Sequence, residues 1–268
     1  MASEVPPLPY DYGALASADI AEQFQAARGD PALAVLEGFH AVKHAIRFGA
    51  DLVALVGTDA DGAASLADAL APDLRERLAQ SLRVVSPETF AKLAPQPPRT
   101  GLIGIAYRPH VDLDAVLGAP EPRPVVLLEE PRNLGNLGAC VRVAAAADAA
   151  AVLTTGAQDP WHPEVLRGAA GLHFALPVLR IGEVMFQERQ LIAVDPEGDA
   201  FDPAAMPSRV VMAFGTERYG LSDQLLAHAE HRVSIPMRPG VSSLNLATAV
   251  AAILFAWRLR GPEARGPG

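Results

Sequence analysis

Residues 125–154 read VVLLEEPRNLGNLGACVRVAAAADAAAVLT, and this stretch sets the fold of the half of the chain around it. Val125–Leu128 is a short apolar run of strand length. A polar, glycine-containing turn follows, and then the Ala-rich segment from Gly138 to Ala149, whose small side chains let a helix sit close against a sheet. Ala151–Thr154 is a second apolar run. Strand, loop, helix and strand in that order predict a parallel βαβ unit. Further on, Leu191–Val194, Val210–Phe214 and Arg232–Ile235 read as strands, in keeping with a sheet covered on both faces. Leu244–Arg260 reads as the last helix, stopped by Gly261-Pro262.

Working outward, Pro109, Pro120, Pro122 and Pro124 mark residues 109–124 as a linker, which sets off residues 125–260 as one domain. Before it, Leu36 to Phe48 has helical spacing, Leu52–Val56 reads as a strand, Ala63–Leu82 as a helix, and Arg83–Val85 and Leu102–Ala106 as strands. Residues 31–108 are therefore expected to form a smaller α/β domain. Residues 1–30 and 261–268 read as tails.

The composition bounds the function. Half of the 268 residues are hydrophobic and a fifth are charged, which suits a substantial core. The net charge is −9. That speaks against coating nucleic acid non-specifically, though an enzyme touching one nucleotide needs only a local basic rim. The longest apolar stretch, Leu246 to Trp257, falls short of the roughly 18 residues a membrane span needs. No signal peptide is in view, so the default expectation is cytoplasmic. The single cysteine, Cys140, excludes an intramolecular disulfide and reads as small packing. His40 and His44 have a spacing a metal can use, but no third ligand joins them, and no metal is expected.

Three loops have the residues for chemistry, each following a strand. In the first, Pro131 to Arg142, glycines allow tight backbone geometry before a helix N-terminus, which favours anions. Asn136 and Arg142 can converge there on one ligand, although Asn136 also makes an ordinary N-cap. The second, Phe214 to Ser222, contains Glu217, which either binds a ligand or favours the next helix N-terminus. It lacks the Lys-Ser/Thr of a phosphate-binding Walker loop. In the third, Ile235 to Asn245, Ser242 or Ser243 can cap the last helix. No GxGxxG fingerprint follows an early strand, which disfavours a nucleotide-binding oxidoreductase. All three loops follow strands of one sheet and so can meet at its C-terminal edge, where open α/β sheets bind ligands.

These residues resemble the three ordered motifs of the SpoU/TrmH RNA methyltransferases: Asn136-x-Gly138-x-x-x-Arg142, Gly215-x-Glu217-x-x-Gly220-Leu221-Ser222, and Ile235-Pro-Met237 with Ser243-Leu-Asn245. Asp159-Pro160, Pro163, Arg167, Ala170-Gly171, Phe174 and Pro177 resemble the segment that the family carries between its first two motifs. The stretch from Glu37-Gly38-Phe39-His40 to Ala106 is similar to its ribosomal-protein-like RNA-binding domain. The resemblance implies a C-terminal parallel sheet tied in a trefoil knot, which general connection rules do not suggest. It also implies a homodimer with its site near the subunit interface.

The activity so implied is methyl transfer from S-adenosylmethionine to a ribose 2′-hydroxyl of RNA, with ribosomal RNA favoured and transfer RNA open. The alternative is a non-catalytic RNA- or ribosome-binding module on the same fold. By the resemblance, main-chain groups around Gly215, Ile235 and Leu244 hold the cofactor and Met237 packs against it. Asn136, Glu217, Ser243 and Asn245 form the polar shell around Arg142. Arg167 reaches RNA or the partner subunit, or makes a surface ion pair. The family assigns the hydroxyl proton to the arginine matched by Arg142. A guanidinium titrating above about 12 is a poor base, and a bidentate grip on a neighbouring phosphate suits it better.

Overall fold

Between Leu33 and Tyr107 the chain forms a four-stranded mixed sheet. The structure, a computed structural model, describes residues 20–182, 186, 189–216 and 219–260. It divides between Arg108 and Pro109 into two units. The first runs α1 (Ile20–Gly29), β1 (Leu33–Glu37), α2 (Phe39–Arg47), β2 (Leu52–Gly57), α3 (Ala60–Leu70), α4 (Arg75–Ser81), β3 (Leu82–Val84), α5 (Pro87–Phe90) and β4 (Leu102–Tyr107). The strand order is β1-β4-β2-β3, antiparallel except for β2 with β3.

Three expectations change here. Part of the expected tail is helix α1, whose Ile20, Phe24 and Ala27 are buried at helical spacing in the core with Val35, Ile103 and Ile105. Arg28 pairs with Glu37 at 2.6 Å and ties that helix to β1. The helix expected from Leu36 begins at Phe39, because Leu33–Glu37 is fully buried and pairs with β4. The long helix expected over Ala63–Leu82 breaks at Pro72, which lacks an N–H and opens a short 3₁₀ turn to Leu74.

The second unit holds α6 (Leu113–Gly118), β5 (Val125–Leu128), α7 (Leu134–Ala146), β6 (Ala151–Thr154), α8 (Pro163–Gly168), β7 (Val178–Arg180), β8 (Gln190–Ala200), β9 (Val210–Phe214), α9 (Asp223–His228), β10 (His231–Ser234) and α10 (Leu246–Arg258). Six parallel strands lie in the order β10-β8-β9-β5-β6-β7. Every residue of β5, β6 and β9 is buried, as a sheet covered on both faces requires. Strand β8 outruns its expected end at Val194. Its first half pairs with β9 on one side and β10 on the other, and its last residues pair with β10 alone after a register shift between Arg232 and Val233.

The expected linker 109–124 is instead part of this unit. Asp112 caps α6, and Leu117 joins the sheet core. The buried Arg189 donates to the carbonyls of Leu117 at 3.0 Å, Arg123 at 2.7 Å and Ala119 at 3.2 Å, and Arg209 also donates to Leu117 at 2.9 Å. Burial holds the Arg189 guanidinium below its ordinary pKa, with Arg209 adding to the effect. Among the described residues no helix is long and apolar enough to cross a membrane, and no group of three or more His, Cys, Asp or Glu could hold a metal.

Candidate active site

The strand order reverses between β5 and β9, and the loops leaving their carboxyl ends lie side by side. This is where open parallel sheets form a crevice. The Glu129 carboxylate, just past β5, accepts from the Ser222 N–H at 2.7 Å and from its hydroxyl at 2.6 Å. The Ser222 oxygen in turn accepts from the Leu225 N–H and caps α9. The first and second loops are thus tied by a carboxylate that the sequence reading passed over.

A cavity of about 180 Å³ opens past the carboxyl ends of β9 and β10, beside the middle of β8 at Val194, Asp195 and Pro196. Gly215, Ile235, Met237 and Leu244, the four residues expected around the cofactor, all line it, as does Ser243. The loop after β9 folds back on itself. Thr216 and Gly220 exchange both main-chain hydrogen bonds, at 3.1 and 3.0 Å. A Cβ at position 215 would overlap the carbonyl of Gly220, so only glycine fits there. Glu217, expected in the polar shell, lies outside the described residues.

Asp195 was missed as well, and it is the one carboxylate among the described residues lining the cavity. It follows directly on the apolar run Leu191–Val194, where the pairing of β8 with β9 ends, and that change from apolar to charged was the available signal. Arg232 donates to its Oδ1 from Nε at 3.0 Å and from the terminal nitrogen at 2.6 Å, and the Glu197 N–H adds a third bond at 2.9 Å. The bond to Asp195 is the main cause that raises the Arg232 pKa above its ordinary value.

The asparagines depart from the capping expectation. Asn133, not Asn136, caps α7, accepting from the Asn136 N–H at 2.9 Å. The last helix is capped by Asn245, not by Ser242 or Ser243, through bonds from the Ala247 and Thr248 N–H groups at 2.9 and 3.4 Å. The Asn136 side chain accepts from the Asn245 amide at 3.1 Å, which joins the first loop to the third. Gly138, two residues on, lies in the helix–helix contact. A Cβ there would stand 2.5 Å from the Val165 carbonyl oxygen on α8.

Arg142 is exposed on α7 and does not line the cavity. Six residues from Asn136 place it about 9 Å along the helix axis. Arg167 is exposed at the end of α8. Cys140 is fully buried. A half-open, mostly apolar pocket thus stands apart from exposed arginines on α7 and α8. The pocket can hold one small ligand, and the arginines can meet an anion.

Comparison with known proteins bears on what those ligands are. The model of the SpoU rRNA Methylase family matches residues 123–255. An uncharacterised tRNA/rRNA methyltransferase of Synechocystis sp. is 33% identical over 211 residues, 74% of this chain and 75% of that protein. A 23S rRNA (uridine(2479)-2′-O)-methyltransferase of Streptomyces viridochromogenes is 32% identical over 58% of each chain. The crystal structure of the SpoU methyltransferase AviRb from the same organism, in complex with AdoMet, superposes with a TM-score of 0.72 at 25% identity. That match covers 90% of this chain and 97% of that one. The crystal structure of an RNA 2′-O ribose methyltransferase gives 0.70 at 26% identity, covering 91% and 95%. The fold class of these neighbours is the knotted parallel-sheet class that the sequence motifs imply, and the six-stranded sheet belongs to it.

Proposed function

This chain belongs to the SpoU rRNA Methylase family, and on that premise we propose that it transfers a methyl group from S-adenosylmethionine to a ribose 2′-hydroxyl of structured RNA, ribosomal before transfer RNA. The observation that carries the reading is the single cavity in which Gly215, Ile235, Met237 and Leu244 meet. S-adenosylmethionine supplies the electrophilic methyl group, and the cavity has the character to hold it: apolar walls, main-chain groups at a glycine that admits no side chain, and one carboxylate.

The protein's contribution is positioning, a large part of the barrier when two reactants must align. Ile235, Met237 and Leu244 pack the cofactor and keep water off it. The Asn136–Asn245 bond fixes the third loop, and with it Ser243 and Leu244, against the first. Arg142 stands outside the cavity, where an RNA phosphate arrives. Its planar fork grips two phosphate oxygens and turns the neighbouring ribose hydroxyl toward the pocket. Arg167 adds charge to the same exposed rim. The residues 31–108 then bind RNA as a substrate domain.

A homodimer is part of this reading. Thr248, Ala252 and Phe255 of α10, with Leu259 just beyond it, are exposed at helical spacing, and Phe255 and Leu259 leave 41% and 75% of their surface open. Such a stripe suits a second copy of the same helix. A ribosomal or transfer RNA substrate implies work in the cytoplasm.

Calorimetric titration with S-adenosylmethionine, paired with radiolabelled methyl transfer to RNA, tests the assignment. Wild type and Arg142→Ala should bind the cofactor equally, while transfer by the variant falls at least about a hundredfold. A fully active variant would overturn the role of Arg142. A wild type that does not bind S-adenosylmethionine would leave an RNA-binding module instead.

A further inference from the structure

The two oxygens of Asp195, the carboxylate in the cavity lining, are used unequally. Oδ1 takes all the donors: Arg232 Nε at 3.0 Å, an Arg232 terminal nitrogen at 2.6 Å and the Glu197 N–H at 2.9 Å. Oδ2 has no hydrogen-bond donor among the described residues, although only 12% of the side chain is exposed. It stands beside Gly220, 4.0 Å from where a Cβ on that glycine would sit. The backbone fixes this placement. A Cβ on Gly198 would lie 2.5 Å from the Val233 nitrogen, so glycine there lets β10 lie against β8 and bring Arg232 to the carboxylate. A carboxylate oxygen kept from water and left without a donor is costly unless a ligand supplies one.

We propose that Oδ2 of Asp195 accepts from a ribose hydroxyl of the cofactor's adenosyl group, and so makes the pocket select a ribonucleoside. The inference rests on the S-adenosylmethionine reading of the cavity. An ionised carboxylate only accepts, so its partner is a donor. The cofactor offers three kinds: ribose hydroxyls, the adenine amine and the ammonium of its methionine part. Arg232 decides against the ammonium. It already balances the charge of Asp195, and its guanidinium would repel a second cation brought to Oδ2. Enclosing an ammonium also carries the desolvation cost of an ion, whereas a hydroxyl carries only that of a neutral group. The apolar surface for the base comes from Ile235, Met237 and Leu244 in the third loop, which leaves the sugar to β8. A carboxylate on a ribose hydroxyl is also how dinucleotide-binding sheets recognise their cofactor's sugar.

Calorimetric titration of the full chain tests this without turnover. The probes are S-adenosylhomocysteine, its 2′-deoxy and 3′-deoxy analogues, and 5′-methylthioadenosine, which lacks the amino-acid part. Wild type should bind at least one deoxy analogue about ten- to a hundredfold more weakly than the parent, the range of a hydrogen bond to a charged group. Asp195→Ala should weaken S-adenosylhomocysteine by a similar factor, and should then bind parent and deoxy analogues within about twofold of each other. Asp195→Asn keeps an oxygen for Arg232 and carries the test should the alanine variant not fold. Its discrimination should drop to about two- to tenfold, the range of a neutral hydrogen bond. A wild type indifferent to both hydroxyls would overturn the proposal. So would variants that keep the wild-type discrimination, since Asp195 would then only hold Arg232. A variant that loses affinity for S-adenosylhomocysteine but not for methylthioadenosine would assign Oδ2 to the ammonium and sink the ribose contact. A wild type that binds no S-adenosylhomocysteine would remove the parent reading and this one with it.

Discussion

Asn245 serves two elements at once, and that double use explains why the third loop ends in asparagine. Its Oδ1 accepts from the first N–H groups of α10, and its amide donates to Asn136 on α7. An aspartate keeps the cap and loses the donor, so the Asn136 amide must turn over to meet it. Asn245→Asp should therefore leave stability near wild type while kcat falls about ten- to a hundredfold. Asn245→Ala should also lower stability by about 1 kcal/mol through the lost cap. Thermal melts alongside turnover check the split, and an active Asn245→Asp enzyme would reduce the residue to a cap. The motifs pointed to these residues, but not to which asparagine caps which helix. Asn133 and Asn136 are both good caps by type, and only the start of α7 at Leu134 decides between them. Asp195 and Glu129 escaped notice for a different reason. Each is a carboxylate that directly follows an apolar run, and its partner, Arg232 or Ser222, is remote in sequence.

At the scale of elements, the strands with uninterrupted apolar runs were legible almost to the residue. Val125–Leu128, Ala151–Thr154 and Val210–Phe214 are buried on both faces, so nothing in their pattern competes with the strand reading. Elements whose stability comes from distant partners were not legible. The helix α6 sits in a proline-rich stretch and is only six residues long. Its carbonyl end is satisfied by Arg189 and Arg209, more than seventy residues downstream. Strand β1 shows no alternation because both its faces are covered, and its last two residues, Leu36 and Glu37, fall within the expected helix. The extension of β8 past Val194 depends on β10, whose pairing begins a new register at Val233. Local pattern cannot see either. The knot is beyond periodicity altogether and came only through the motifs.

At the scale of the whole molecule, a net charge of −9 and an RNA substrate are compatible if positive charge is concentrated where RNA lands. Arg132, Arg142 and Arg167 are all exposed and lie on the first loop, α7 and α8. In the proposed homodimer the apolar stripe of α10 is the contact between the two copies. Sedimentation should find the wild type dimeric at micromolar concentration. The double substitution Phe255→Glu with Leu259→Glu should give monomers, because two like charges brought together at the same interface repel across it. A monomeric wild type would remove the homodimer from the account.

Quantifying 2′-O-methylated nucleosides at each position of ribosomal and transfer RNA, in cells with and without this gene, tests the central claim most directly. One ribose methylation should vanish on deletion and return with the wild-type gene, but not with Arg142→Ala. An unchanged ribose-methylation map, or the loss of a base methylation in its place, would contradict the account.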